Sequence, residues 1–161
     1  MNPLLRFFGH HPRVRGPVVD LVEEQVEAAD RWNQFVPSYY YGIYVHDTER
    51  RVGYCDLRVG KNDELYYAGN IGYRINQPYR GRHYAYEACR MLFALAKKKG
   101  MEDLIITCSP DNTASRKTLE RLHGTYLETA DVPGGHWLYL RGETVKRIYR
   151  FDLSKAEEAS L

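Results

Sequence analysis

The chain has 161 residues, a formal net charge of +2 at pH 7 and a pI near 8.4. This length suits one domain with a hydrophobic core. The charge is too small to predict a nucleic acid as a partner. Because no apolar run approaches the roughly twenty residues that cross a bilayer, we predict no membrane span, and the N-terminus lacks the apolar core of a signal peptide.

The three cysteines, Cys55, Cys89 and Cys108, are far apart and lie in apolar runs. This pattern is typical of reduced, buried side chains, so we expect a cytoplasmic protein. His10 and His11 have no further ligands at metal-binding spacing, and we therefore predict no metal site.

The two ends of the chain are predicted to lie outside one central domain. Residues 1–17 are expected to be an irregular lead-in and residues 154–161 a polar tail, so that the domain spans 18–153. Apolar residues in 18–26 predict a first strand that runs into a short acidic helix or loop. Only 28–38 remain before the next strand, which is room for one or two turns.

Three strands are predicted next, at 39–46, 51–59 and 65–76, with short polar turns between them. Their β-branched and aromatic residues favour an antiparallel meander. Pro78 then ends the third strand, and a long helix with one apolar face follows Gly81. Three lysines and Gly100 mark the end of this helix.

The start of the long helix has the features of an anion site. The first-turn amides of Arg82, His83, Tyr84 and Ala85 lack partners within the helix and lie at the positive end of its dipole. Arg80 and Arg82 add two permanent charges. Such a turn binds phosphates, although a solvated basic turn has the same composition.

A buried strand is predicted at 104–108, and the polar residues that follow it stop the strand. Asn112 is placed to cap the next helix, and Gly124 to end it. The remaining segments are expected to be strands, at 126–132, 137–140 and 145–153.

Two groups of residues occur in a fixed order around these helix starts. The first comprises Gly72, Tyr73, Arg74, Ile75, Arg80, Gly81 and Ala85, and the second Asn112, Ser115, Leu119, Glu120 and Gly124. They resemble two consecutive motifs of the GNAT superfamily of acyl-CoA N-acyltransferases, in the form found in N-terminal alanine acetyltransferases of ribosomal proteins. Two motifs with the expected strand between them are more specific than one.

The resemblance implies an α/β fold with a single mixed, mostly antiparallel twisted sheet of about six or seven strands and helices on both faces. It also implies acetyl-CoA as co-substrate, without a metal. The residues that match its acetyl-CoA contacts are Ile75, Asn76, Arg80, Gly81, Arg82, His83, Tyr84, Ala85 and Asn112. His83 stands where the family usually has glycine, so its imidazole must point away from the phosphates or contact them.

The implied reaction is direct attack of an amine on the acetyl thioester. A lysine-type amine, with a pKa of about 10.4, needs a base more than an α-amine with a pKa of about 8. Asp56 is the preferred candidate for this base over Glu64, although an exposed sheet face would explain Asp56 equally well. Ser115 matches a serine that donates to the leaving sulfur, and helix capping is its alternative role. Leu119 occupies the position of the family's usual tyrosine.

Three classes of function follow from these observations. The first is an N-acetyltransferase acting on a primary amine of a small molecule or peptide. The second is a non-catalytic acyl-CoA binding module, suggested by His83 and by Leu119. The third is an RNA- or ribosome-associated protein, which the basic residues near the helix starts would suit but the small net charge does not favour. The terminal strands would allow a homodimer, and the sequence does not determine the oligomeric state.

Overall fold

A computed structural model describes residues 11–30 and 35–156 of the chain. Eight strands and four α-helices make up this described part. The strands are β1 (Arg13–Arg15), β2 (Val19–Glu27), β3 (Ser38–Val45), β4 (Arg51–Arg58), β5 (Ile71–Ile75), β6 (Asp103–Cys108), β7 (Thr125–Asp131) and β8 (Val145–Asp152). The helices are α1 (Asp63–Ala68), α2 (Tyr84–Lys98), α3 (Thr113–Arg121) and α4 (Trp137–Leu140).

The strands form two antiparallel sheets, ordered β1-β2-β3-β4-β5 and β6-β8-β7. At the start of β5 the Asn70 N–H donates to the Ile105 carbonyl at 2.7 Å, and the Asn70 Oδ1 accepts from the Ile105 N–H at 2.9 Å. Beyond this contact no ladder joins β5 to β6 in the described residues. The predicted fold class is confirmed, but the sheet is interrupted at this point rather than continuous.

Helices cover both faces of the strands. The buried side of α2, which includes Ala88, Leu92 and Ala96, packs in one core with side chains of the five-stranded sheet. Because side chains alternate across β6 and Ile106 faces the core, Thr107 points to the opposite face of the strand. The Thr107 hydroxyl donates to the Tyr67 carbonyl at 2.7 Å, so α1 lies on that opposite face. All three cysteines are buried and free, as predicted.

Two short segments predicted as strands are helices instead. The Asn62 side chain accepts from the Leu65 N–H at 2.8 Å, so 65–68 belong to α1 and β5 begins only at Ile71. The His136 Nδ1 accepts from the Leu138 N–H at 3.1 Å and starts α4 in the same way. In both segments a capping side chain outweighs the β propensity of the residues that follow.

The N-terminal part of the sheet extends further than predicted. Arg13–Arg15 pair with β2, so an irregular lead-in is wrong for these residues. The acidic helix or loop predicted through Glu23, Glu24, Glu27 and Asp30 is wrong for 23–27, because these residues continue β2. Asp30 and Phe35 exchange two backbone hydrogen bonds of 3.0 Å, which form an antiparallel bridge beyond the paired residues of β2 and β3.

The predictions for the two ends of the chain are only partly covered by the structure. Residues 1–10, with His10, and residues 157–161 lie outside the described residues. At the start of the predicted tail, Leu153–Lys155 form a 3₁₀ turn. Within the described part of the chain, no helix combines the length and apolar character needed to cross a membrane.

Candidate functional site

A cleft opens beside the end of β5, between the start of α2 and the neighbouring helix α3. The Asn76 N–H donates to the Val52 carbonyl at 2.8 Å, and the Arg58 N–H to the Asn70 carbonyl at 2.7 Å, which places the even-numbered residues of β5 in the ladder with β4. Because partners alternate along an antiparallel pair, the backbone groups of Tyr73 and Ile75 face the gap towards β6. β5 therefore presents a strand edge to the cleft.

The start of α2 forms one end of this cleft. The helix begins at Tyr84, and its N-cap residue His83 has left-handed backbone angles and makes no side-chain capping bond. The first helical bond runs from the Glu87 N–H to the His83 carbonyl at 3.1 Å. The four amides without helical partners are thus those of residues 83–86. The predicted set began one residue earlier, at Arg82.

His83 contacts the neighbouring helix. Its Nε2 lies 3.3 Å and its Nδ1 3.4 Å from Nη1 of Arg121 at the end of α3. The Arg121 guanidinium in turn lies 5.1 Å from the centre of the Tyr86 ring. The imidazole is thereby directed towards α3 and forms part of the cleft wall.

The cleft has a volume of about 620 Å³ and a cationic lining. None of its described lining residues is acidic, and its basic ones are Arg74, Arg80, Arg82, His83, Lys117 and Arg121. The Arg80 Nε also donates to the Ile75 carbonyl at 2.9 Å, which ties the turn before α2 to the end of β5. Uncapped amides and several cations in one cleft favour an anionic ligand.

The first turn of α3 forms the facing wall. The Asn112 side chain caps this helix as predicted, accepting from the Ser115 N–H at 3.1 Å. The Ser115 hydroxyl is not the cap, since its Oγ lies 2.7 Å from the Tyr73 hydroxyl in a hydrogen bond. Both residues line the cleft, so Ser115 is placed towards the ligand space.

Tyr73 is the residue whose placement the sequence did not reveal. Burial raises its pKa well above the usual range of a tyrosine, and the hydrogen bond with Ser115 offsets this only in part. The alternation of Ile71, Tyr73 and Ile75 on the core side of β5 was the available signal. Its hydrogen-bonding partner lies 42 residues away in the sequence, which the pattern did not predict.

Asp56 lies outside this cleft. It stands opposite Gly72 across the β4–β5 ladder, and its side chain points to the face away from α2, since its neighbours Cys55 and Leu57 face the core. The residue is only 6% exposed. The glycine leaves room for the carboxylate, because a Cβ at Gly72 would lie 2.6 Å from its Oδ1.

Few neighbouring groups stabilise the negative charge of the Asp56 carboxylate. The Arg58 Nε lies 2.9 Å from its Oδ2, but this oxygen has no well-aligned hydrogen bond. Burial raises the pKa of Asp56 despite the charge of Arg58. Glu64, the other candidate base, instead accepts from the Trp137 Nε1 at 2.6 Å and joins α1 to α4.

The cleft thus brings together most of the residues predicted to contact acetyl-CoA. Asn76 is the exception, because its N–H is used in the β4–β5 ladder and it does not line the cleft. The members that do line it are Ile75, Arg80, Gly81, Arg82, His83, Tyr84, Ala85 and Asn112.

The free edge of β5 and the uncapped start of α2 lie in one cationic cleft, an arrangement suited to an extended anionic ligand. A family model described as acetyltransferase (GNAT) domain matches residues 3–125. The chain therefore belongs to this family and is an acetyltransferase that depends on acetyl-CoA. No curated protein sequence matches the chain significantly.

Solved structures share the fold at low sequence identity. RimL, a ribosomal L7/L12 alpha-N-protein acetyltransferase in complex with coenzyme A, is 12% identical with a TM-score of 0.61, over 88% of this chain and 98% of that one. An acetyltransferase from Agrobacterium tumefaciens str. C58 is 18% identical with a TM-score of 0.61, over 89% and 96%. The Microcin C7 self immunity acetyltransferase MccE, in complex with acetyl-CoA and AMP, is 18% identical with a TM-score of 0.54, over 71% and 61%.

Proposed function

We propose that this protein binds acetyl-CoA in the cleft formed by the end of β5, the start of α2 and α3, and transfers its acetyl group to a primary amine by direct attack. The observation that carries the proposal is the meeting of the uncapped α2 amides with the free edge of β5 in a cationic cleft. RimL and MccE were solved with coenzyme A and acetyl-CoA respectively, which supports the same ligand here.

The lining residues suit the parts of acetyl-CoA. The amides of His83, Tyr84 and Ala85, with Arg82 beside them, would hold the pyrophosphate. Gly81, with a φ of 84°, allows the turn that leads into this helix start. The backbone of Ile75 and the free side-chain amide of Asn112 would bond the pantetheine arm.

Ser115 would act from the cleft, whereas Asp56 would act from the opposite face of the sheet, where the amine would approach. A buried carboxylate with a raised pKa is suited to take a proton from the attacking amine, directly or through one water. Ser115 faces the cleft and would donate a hydrogen bond to the departing thiolate. Acetyl-CoA supplies the activated acetyl group, and the chain supplies binding, orientation and this hydrogen bonding.

Calorimetric titration with acetyl-CoA tests the binding part of the proposal. Arg82→Ala removes an exposed cation from the lining, and we expect affinity to fall by about tenfold because one charge-assisted contact is lost. Lys98→Ala is the matched control, since it removes the same charge from the last turn of the same helix. Wild-type protein that does not bind acetyl-CoA, or equal losses in both variants, would contradict the assignment of the cleft.

A free-thiol assay with a panel of amines tests the transfer part. Release of CoA that depends on one class of primary amine, with the acetylated amine found by mass spectrometry, is the expected result. Binding of acetyl-CoA with no amine-dependent release would instead support the non-catalytic acyl-CoA module.

A further inference from the structure

We propose that Tyr73 is a positioning residue, whose hydroxyl holds Ser115 with its proton directed at the leaving sulfur. This inference rests on the proposed function and adds a residue to it. Its basis is a group of three hydroxyls, from Tyr73 on β5 and from Ser115 and Thr118 on α3, in one wall of the cleft.

Each hydroxyl has a single proton to donate. The Thr118 hydroxyl donates to the Ala114 carbonyl at 3.1 Å, so its proton is used within α3. Ser115 is the hydroxyl that the described structure places in a hydrogen bond with Tyr73. The 2.7 Å bond between Tyr73 and Ser115 is compatible with either of them as donor.

Two proton arrangements follow from this count. In the first, Ser115 donates to Tyr73, so that the serine proton is held inside the wall. In the second, Tyr73 donates to Ser115, and the serine proton is free to point into the cleft. A thiolate forming in the cleft favours the second arrangement, because its negative charge attracts the serine proton.

The change between the arrangements needs only rotation about the C–O bonds. No O–H bond breaks, and the carbon–sulfur bond of the thioester breaks with both electrons leaving on sulfur. The thiolate is stabilised by the Ser115 hydrogen bond, while the proton lost by the amine goes to the base. Since burial raises the pKa of Tyr73, its hydroxyl stays protonated and able to donate at neutral pH.

A double-mutant cycle tests this role, with the wild-type kcat for thiol release as reference. We expect Tyr73→Phe to lower kcat by about tenfold with little change in KM for acetyl-CoA, because the lost bond acts on the charged leaving group. In a Ser115→Ala background the same change is expected to have almost no effect. Equal effects in the two backgrounds would overturn the proposal.

Tyr126→Phe is the matched control. It removes a tyrosine hydroxyl that lies 2.7 Å from the Thr129 hydroxyl on the exposed strand β7. We expect its kcat to equal that of the wild type. A loss as large as that of Tyr73→Phe would show that kcat falls when any hydrogen bond between a tyrosine and another hydroxyl is removed, wherever it lies.

Thr118→Val gives a second test if Tyr73→Phe disturbs folding. It removes a hydroxyl of the same wall whose proton goes to the Ala114 carbonyl, while Tyr73 and Ser115 keep their bond, so we expect kcat to change by less than about twofold. A fall in kcat would mean that the wall acts through packing and would overturn the inference. A wild-type protein that releases no thiol with any amine would refute the proposed function itself, which is a distinct result.

Discussion

Two buried aspartates in the five-stranded sheet, on β2 and on β4, have very different surroundings. The Asp20 side chain is fully buried and accepts from the Arg13 guanidinium at 3.0 Å and from the backbone N–H groups of Gly16 and Asp47. His46 Nδ1 lies 2.8 Å away. Burial alone would raise the pKa of Asp20, but these hydrogen bonds outweigh it and hold the pKa below its usual value.

Asp56 is almost as deeply buried but has far fewer partners. The Arg58 guanidinium lies close to the Asp56 carboxylate, yet the pKa of Asp56 is raised rather than lowered. Hydrogen bonds that complete the shell of a carboxylate stabilise its charged form, whereas burial without them favours the protonated form. The comparison therefore assigns Asp20 to the stability of the sheet and makes Asp56 the carboxylate suited to proton transfer.

The largest effect is expected at Asp20. Asp20→Asn removes the charge while Arg13 and the two backbone donors stay in place, so we expect a loss of about 3 kcal/mol in the free energy of unfolding at pH 7. Because the pKa is lowered in the folded state, this contribution exists above the unfolded pKa of about 3.9 and disappears as pH falls through the folded value. Urea unfolding of both proteins across acidic and neutral pH measures it.

Glu49→Gln provides the control for this prediction. Glu49 pairs with the same Arg13 at 3.2 Å, but its side chain is 92% exposed. We expect almost no change in stability. If the two substitutions had similar effects, the difference in burial would not be the deciding factor.

Asp56 is expected to respond in the opposite direction. Asp56→Asn should lower kcat by about 10²-fold through loss of the base, yet stabilise the fold at neutral pH. With a raised pKa in the folded state, the stabilising contribution of the protonated carboxyl is present below the unfolded pKa of about 3.9 and is lost as pH rises through the folded value. The Asp56→Asn variant should therefore gain stability relative to the wild type as the pH increases through the folded pKa of Asp56.

Thermal unfolding and thiol release from the same preparations test both parts. Asp131→Asn, at an exposed carboxylate of β7, is the control and should change neither quantity. A variant that loses stability together with activity would show that Asp56 has the same structural role as Asp20.

The sequence predicts best where local chemistry decides the structure. Pro78, Gly81 and Gly100 mark the ends of elements, and Asn112 caps α3 as its position suggests. What it misses depends on contacts across the fold. The Tyr73–Ser115 bond joins residues 42 apart, and the interruption of the sheet depends on how two distant strands meet at Asn70. The shell around Asp20 joins β1 to the turn after β3, which no local pattern indicates.

The smallest expected effect concerns His83, which has a φ of 60° where the family usually has glycine. The left-handed backbone costs a residue with a Cβ about 1 kcal/mol, so His83→Gly should leave stability unchanged or raise it slightly, since glycine loses more entropy on folding. Removing the side chain opens the approach to the α2 amides. We expect acetyl-CoA affinity, measured by calorimetry, to increase by about threefold.

His123→Gly separates the backbone effect from the effect on the ligand. His123 has a φ of 62° just after α3, so glycine relieves the same strain there without widening the cleft. Both variants should change stability alike, and His83→Gly alone should change affinity. If His83→Gly weakened binding, the imidazole would contact the phosphates itself, and the departure from glycine would be an adaptation for binding acetyl-CoA.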